Sequence, residues 1–292
     1  MGPGVDGNQG LAVTLWRRPR LQLSLLLAGP VGWLVIAYLG SLAVLFVAAF
    51  WRLDAFSGEV VHDYGVSNFQ TLGENDVYRT IVLRTVGIAA AVTVTDALLA
   101  FPIAFYMAKV ASRRVRALLV ILVVLPLWSS YLVKVYAWRI ILAEDGILNW
   151  ALDPLGLSGP GFGNVATWLV FSYLWLPYMI LPIYAGLERI PDSLLDASGD
   201  LGASAGKTFR RVVLPLALPA VVAGSIFTFS LTLGDYITPQ IVSSTQFIGN
   251  VVYTNVGVAN NLPLAAAFAT VPVVIMILYL LGARRLGAFE SL

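Results

Sequence analysis

The sequence predicts an all-α integral membrane protein of six transmembrane helices with both termini in the cytoplasm. Three observations carry this expectation. Apolar residues are 59% of the 292 and charged residues only 12%, about half the charged share of a soluble domain. Mean hydropathy is +0.83, more apolar side chain than a soluble core can absorb. Six apolar segments are long enough, at about 20 residues each, to cross roughly 30 Å of hydrocarbon.

The chain divides into a Gly-rich, basic tail at 1–20 and a membrane domain at 21–292. The first apolar segment, 23–50, is too long for the core of a signal peptide and lacks a small-x-small cleavage site, so it is expected to be retained as a helix. The second, 80–108, carries Asp96 near mid-span. The third, 117–141, contains Pro126, Trp128, Ser129 and Ser130, an aromatic face and hydroxyls beside an expected kink. Lys134 and Arg139 lie towards its outer end and are expected to snorkel or to pair with Glu144 and Asp145. The fourth span is 165–187. The fifth, 212–235, ends on Asp235-Tyr236-Ile-Thr-Pro239, where Gly234 and Pro239 break the helix and open backbone groups to a cavity. The sixth is 262–283. No period of 20–50 residues recurs, so neither a solenoid nor an inverted-repeat transporter is supported.

Orientation follows from the cations. Arg17, Arg18 and Arg20 are in the tail, and Lys109, Arg113, Arg114 and Arg116 lie between spans two and three. Arg189, Lys207, Arg210 and Arg211 lie between spans four and five, and Arg284 and Arg285 near the end, giving 13 of the 18 basic residues on one side. The opposite loops hold Asp54, Glu59, Asp63, Glu74, Asp76, Glu144, Asp145 and Asp153. The positive-inside rule puts the tail, 109–116, 188–211 and the C-terminus in the cytoplasm.

Several chemistries are excluded. Without cysteine there is no disulfide or thiolate site, and one histidine, His62, makes neither a metal cluster nor a relay. No nucleophile motif is present, no cofactor or metal is expected, and nothing points to nucleic acid. Gly202-Ala-Ser-Ala-Gly206-Lys207-Thr208 imitates a phosphate-binding loop, but it has three residues between its glycines where four are needed, and no strand precedes it. The chain itself is therefore not expected to bind nucleotide or to act as an enzyme.

The segment 188–211 is unusual for a loop between spans. It is 24 residues long and cannot sit in lipid. Pro191-Asp192-Ser193 reads as a helix start, and Leu194, Leu195, Ala197 and Leu201 are apolar at helical spacing. Gly199 and Gly202 are placed to end that helix or to let another backbone approach. A second helical stretch, 203–212, is expected to precede Leu214-Pro215, where the fifth span opens.

Asp196-Ala-Ser-Gly-Asp-Leu-Gly202, followed by Val212-Val-Leu-Pro215, resembles the cytoplasmic EAA loop of ABC importer permeases, with Asp for the usual Glu and Ser for Ala. Leu125-Pro-Leu-Trp128-Ser-Ser-Tyr-Leu-Val-Lys134-Val-Tyr-Ala-Trp138 and Asp145-Gly-Ile-Leu-Asn149 are similar to the third span of spermidine/putrescine-type permeases. The resemblance runs from about residue 20 to the C-terminus. It implies a type I ABC importer (MetI-like) permease fold in a bacterial inner membrane, with 188–211 as the coupling loop. The implied partners are a homologous second permease subunit, two ATP-binding cassette subunits and an extracytoplasmic solute-binding protein. Asp196, Ala197, Ser198, Leu201 and Gly202 are the expected contacts with the ATPase.

The expected substrate is a small molecule, a polyamine; ferric iron, an opine or a thiamine-like solute is the alternative within the class. A secondary transporter working without ATP is the rival from another class, and it leaves 188–211 without a role. Candidate pathway residues are Asp96, Trp128, Ser129, Asp235 and Tyr236. Asp96 has two readings, a cation contact or a helix–helix hydrogen bond, because an ionised carboxylate in the membrane needs water or a partner. Aromatic faces such as Trp128 attract alkylammonium groups, although a buried tryptophan more often serves packing.

Overall fold

The computed structural model describes residues 19–54 and 56–285; Arg17, Arg18 and most of the basic tail lie outside the described residues. Helix α1 runs through Pro19–Trp33, a π-helical stretch Leu34–Leu39 and Gly40–Ala48. No residue is buried over Leu34–Ala48, which suits a helix that is apolar all round and stands in lipid. A short antiparallel hairpin follows, β1 (Arg52–Leu53) with β2 (Val60–Val61). Its turn is closed by the Asp54 carboxylate, which accepts from the backbone N–H of Phe56 at 2.8 Å and Ser57 at 2.9 Å. Those bonds, Ser57's first, hold the Asp54 carboxyl below its usual range. Helix α2 (Ser67–Glu74) is anchored to the end of α1 by Asn68, whose Nδ2 donates to the carbonyls of Ala49 and Trp51.

Helix α3 (Asp76–Phe105, then a π-helical turn Tyr106–Val110) starts on Asn75, whose side chain accepts from Val77 N–H. The third span, expected to kink within 117–141, is broken more sharply than a kink. Helix α4 (Arg113–Val124, with a 3-10 turn Leu125–Trp128) and helix α5 (Tyr131–Leu142) meet at 93°. Pro126 removes a backbone donor and tightens the last turn. Ser129 and Ser130 then turn extended, and the Ser129 hydroxyl donates back to the Pro126 carbonyl at 2.8 Å. Among the described residues five helices are long and apolar enough to cross a membrane, and six spans result if this bent pair counts as one.

A small helix α6 (Ile147–Leu152) leads to α7 (Asn164–Glu188). Next come α8 (Asp192–Asp200), α9 (Ala205–Thr208), a π-helical stretch Phe209–Val213 and α10 (Leu214–Gly234). The last three join in one run from Ala205 to Gly234, so the stretch expected to precede the fifth span is instead its first turns. The segment 236–261 folds into two further helices, α11 (Ile237–Val242) and α12 (Ile248–Gly257), before α13 (Leu262–Arg285).

The core is the triangle of α3, α7 and α10, against which α12 and α13 pack from one side. At the end bearing the cationic loops, Ala104, Met107, Met179, Ile183, Leu187 and Ala217 form one buried cluster. Towards the opposite end Val92, Phe171, Leu174 and Trp175 meet Val135 of α5 and Val242 of α11 in a second. The small residues let the backbones approach, as membrane helix pairs require. A Cβ placed on Gly186 of α7 would strike the Cβ of Ala220 on α10.

Gly186→Val is therefore expected to destabilise the α7–α10 contact by about 1–3 kcal/mol, the usual cost of overpacking. Gly87→Ala, where an added Cβ meets nothing within 4 Å, is expected to be neutral. Fluorescence-detected thermal unfolding of the two purified variants checks the pair; equal melting temperatures would refute the close contact.

Candidate functional site

At the cationic end the chain leaves α7 at Glu188 and turns into α8. Lys109, from the π-helical turn after α3, spans this turn. Its Nζ donates to Asp192 Oδ1 at 2.8 Å and to the Ile190 carbonyl at 2.5 Å, and the Lys side chain is only 9% exposed. The Lys109 hydrogen bond and charge hold the Asp192 carboxyl below its usual range. Arg116, in α4, gives Nε to the Met107 carbonyl and an Nη to the Ala108 carbonyl. Its other Nη reaches Glu188 Oε1 at 3.3 Å. The last carbonyls of α3 are thus satisfied by a cation, which also favours that end of the helix dipole.

Helix α8 is amphipathic in the expected sense. Leu195 turns inward onto the cluster that holds Leu187 and Ile190. Leu194, Asp196 and Ala197 are exposed, and Leu201 is 88% exposed at the tip. Gly202, rather than Gly199, ends the helix. Gly202 N–H bonds the Gly199 carbonyl at 2.8 Å and Ala203 N–H bonds the Ser198 carbonyl at 3.1 Å, a complete Schellman motif. Gly202 takes φ +76°, a conformation costly for any residue with a Cβ. Ser198 is half-buried and its hydroxyl meets that of Thr208 on α9 at 2.9 Å. The five residues expected here thus divide: Asp196, Ala197 and Leu201 face out, Ser198 ties α8 to α9, and Gly202 sets the turn.

Asp96 is fully buried between α3 and α7. Neither carboxyl oxygen has a hydrogen-bond partner among the described residues, and the hydroxyl of Ser172 on α7 has none either. It stands apart from the other candidates. Lys134 donates across the broken span to the Pro126 carbonyl at 3.1 Å, and Arg139 lies over the Phe162 ring at 5.9 Å. Neither pairs with Glu144 or Asp145 among the described residues, contrary to the pairing considered from sequence; the backbone carbonyl freed by the break and an aromatic face satisfy them instead.

The break between α10 and α11 gathers the remaining candidates. Asp235 Oδ1 accepts from the N–H groups of Ile237 at 2.8 Å and Thr238 at 3.1 Å, capping α11. Oδ2 accepts from the hydroxyl of Tyr131, the first residue of α5, and from Thr238 Oγ1 at 3.1 Å. Tyr131 stacks on Trp175 of α7, with ring centroids 6.1 Å apart at 12°, and Tyr236 stacks on Tyr253 of α12 at 4.8 Å and 13°. A cavity of about 400 Å³ lies on one side of Tyr236 against Tyr253, and another of about 370 Å³ on the other side, bounded by Tyr131, Trp175 and Asp235. Trp128 is 88% exposed and Ser129 exposed at the α4–α5 break, two to three residues before Tyr131. Tyr131, Trp175, Thr238 and Tyr253 were not singled out from sequence; Tyr131 lies 104 residues from Asp235, and no local pattern announces the pairing. Among the described residues no group of three His, Cys, Asp or Glu side chains could hold a metal ion.

Comparison with known proteins places the chain in a family. The family model described as binding-protein-dependent transport system inner membrane component matches residues 100–288. The chain is 48% identical to the inner membrane ABC transporter permease protein YdcU of Escherichia coli K12, over 99% of this chain and 96% of that protein. It is 31% identical to the spermidine/putrescine transport system permease protein PotB of Haemophilus influenzae, over 70% and 73%. Among solved structures, a chain of a bacterial alginate ABC transporter superposes with TM-score 0.71 at 15% identity, covering 93% of this chain and 95% of that one. A chain of the inward-facing MetNI methionine transporter gives 0.53 at 18%, covering 75% and 99%.

Two outcomes are expected at the cationic end. Asp192→Ala strands the enclosed Lys109 cation, whereas Lys109→Met leaves only an exposed carboxylate, so the first variant is expected to unfold at the lower temperature. Because the folded carboxyl of Asp192 titrates below its unfolded value of about 3.9, the stabilisation is present above that value and is lost as pH falls through the folded pKa. Thermal scans of both variants between neutral pH and the acid limb check this; the reverse ranking would show that Lys109 is not held by Asp192.

Proposed function

The chain belongs to the binding-protein-dependent transport system inner membrane components and is a permease subunit of an ABC importer; from that premise we propose that it forms half of a polyamine pathway and takes its drive from a separate ATPase through α8. A homologous second permease completes the pathway, two ATP-binding cassette subunits engage the cationic end, and a solute-binding protein delivers cargo at the other. The positive-inside count supports this orientation, with both termini and 188–211 on the cytoplasmic face.

The observation that carries the coupling role is the build of α8. It exposes Leu194, Ala197 and Leu201 with Asp196 on a rigid helix, while Lys109, Leu195 and Ser198 fasten it to α3, to the core and to α9. An apolar anchor with a charge beside it, on an element that cannot yield, suits a groove on a partner. Closure of the ATPase dimer on binding ATP would then move α8, and with it α7 and α10, as one body, turning the cavity outward; hydrolysis resets it.

The cargo reading rests on two supports. The PotB relatives carry spermidine/putrescine transport in their names. The one cavity among those described here that combines a carboxylate with aromatic rings is lined by Tyr131, Trp175, Asp235 and Tyr236, the chemistry that suits an alkylammonium chain. Trp128 and Ser129, exposed at the neighbouring break, extend the same face. Asp96, enclosed by α3 and α7, suits the helix-packing role better than the pathway.

Gly202→Asp, or Asp196→Lys, is expected to leave the protein inserted, to abolish uptake and to weaken co-purification with the ATPase. Normal uptake by a well-expressed Gly202 variant would remove the docking role. For the cargo, calorimetric titration of the partner binding protein with spermidine, putrescine and ferric, opine and thiamine-like competitors is expected to give tight binding of the polyamines alone. Preference for any competitor would overturn the polyamine reading and leave the permease assignment standing.

A further inference from the structure

The Asp235 carboxylate has an unusual accounting. It has about four acceptor positions, and four donors occupy them: the N–H groups of Ile237 and Thr238 on Oδ1, the hydroxyls of Tyr131 and Thr238 on Oδ2. All four are neutral. Among the described residues no cationic side chain pairs with it, although it is half-buried at the wall of a cavity of about 370 Å³. A charge taken out of water is costly unless it is paired as well as hydrogen-bonded, and Asp235 has hydrogen bonds alone. The aromatic faces of Tyr131, Trp175 and Tyr236 around the same cavity are surfaces that attract cations as well.

The donors are not equally replaceable. The two backbone N–H groups cap α11 and are fixed by the chain. The two hydroxyls on Oδ2 already lie within 2.7 Å of each other, so Tyr131 has a second partner in Thr238 Oγ1 if it gives up the carboxylate. Tyr131 is also the first residue after the 93° break, which makes its bond to Asp235 the tie between the second limb of the broken span and the α10–α11 break.

We propose that Asp235 is an exchange site for one ammonium group of the cargo: with the site empty Oδ2 holds Tyr131, and an arriving alkylammonium takes Oδ2 while Tyr131 falls back on Thr238. Binding of the cation and transfer of the Tyr131 hydroxyl from Asp235 to Thr238 of α11 are then a single event, and Tyr131 sets the affinity by competing with the cargo. This rests on the polyamine reading above and adds to it a named contact and a coupled exchange of partners. Tyr236 lines the second cavity too, and the apolar residues there, Leu233, Ile248, Val252 and Tyr253, suit the methylene segment of the cargo and not its second ammonium.

The test is equilibrium binding of radiolabelled spermidine and putrescine to the complete complex in nanodiscs, without the binding protein, with an uncharged diol of matching length as control. Asp235→Asn keeps an acceptor for the two N–H groups and removes the charge; amine affinity is expected to fall at least tenfold, with no change for the diol. Tyr131→Phe keeps the stack on Trp175 and removes the competing donor; amine affinity is expected to rise several-fold. A purely structural role for the pair would instead lower the melting temperature in both variants and never raise affinity in one of them. If the parent binds amines and both variants bind them equally well, the exchange site is wrong and the cargo reading survives. If Tyr131→Phe weakens binding, competition is wrong. A parent complex that binds no alkylamine overturns the cargo reading and the exchange site together.

Discussion

A backbone N–H or C=O that faces lipid without a partner costs several kcal/mol, and that constraint governs where this chain can bend. Several places where a helix stops beside the bundle are closed by side chains. The Pro126 carbonyl at the α4–α5 break takes Lys134 Nζ and the Ser129 hydroxyl. The α10–α11 break is capped by Asp235, and the Tyr236 carbonyl accepts from Asn250 Nδ2 of α12 at 2.9 Å. At the cationic end Arg116 closes α3 and Lys109 closes the turn into α8. Satisfying the backbone therefore does two jobs at once: it permits the break and it ties the broken element to a neighbour. At these interruptions the polar side chains named above serve as the partners; others, such as Asp96 and Thr228, lie within the helices.

Those ties fix which movements are possible. From Ala205 to Gly234 the chain is one helix of 30 residues, about 45 Å long. One end is bonded to α8 through Ser198 and Thr208, and the other stops at Asp235. A displacement of α8 is thus carried along a single rod to the break beside the cavities, without crossing a flexible joint other than the π-helical stretch Phe209–Val213. The triangle of α3, α7 and α10 gives that rod two rigid neighbours, and the close approach of Gly186 to Ala220 leaves little slack between α7 and α10. The proposed rigid-body coupling draws on these contacts together rather than on any one residue.

Much of this was legible in the sequence, for identifiable reasons. Hydropathy found the spans because burial in lipid demands long apolar runs. The start of α8 at Asp192 was readable from Pro191, and its stop was narrowed to Gly199 or Gly202, because caps are local chemistry; the choice of Gly202 needed the backbone bonds. The 93° break was visible only as an expected kink: Pro126, Ser129 and Ser130 were noticed, but hydropathy continues through them and does not report direction. The helices within 236–261 were missed for a related reason, since α11 is six residues long and pivots on Pro239, too short for periodicity to register. The Tyr131–Asp235 bond and the two aromatic stacks join residues far apart in sequence, and only the folded chain brings them together.

A pathway residue must bind strongly enough to admit cargo and weakly enough to let it leave. A lone carboxylate in low dielectric would fail the second condition, holding a polyamine ammonium with a charge-assisted bond that nothing repays on release. A carboxylate already saturated by neutral donors is different in kind. The cation gains only the difference between its own bond and the hydroxyl bond it displaces, and on leaving it is replaced at once by Tyr131. The aromatic walls add attraction that is soft in direction and does not lock a particular pose. On this view the neutral donors around Asp235 are not incidental packing; they hold the affinity of the site in the range that transport needs, and selectivity among cargoes is left to the protein that delivers them.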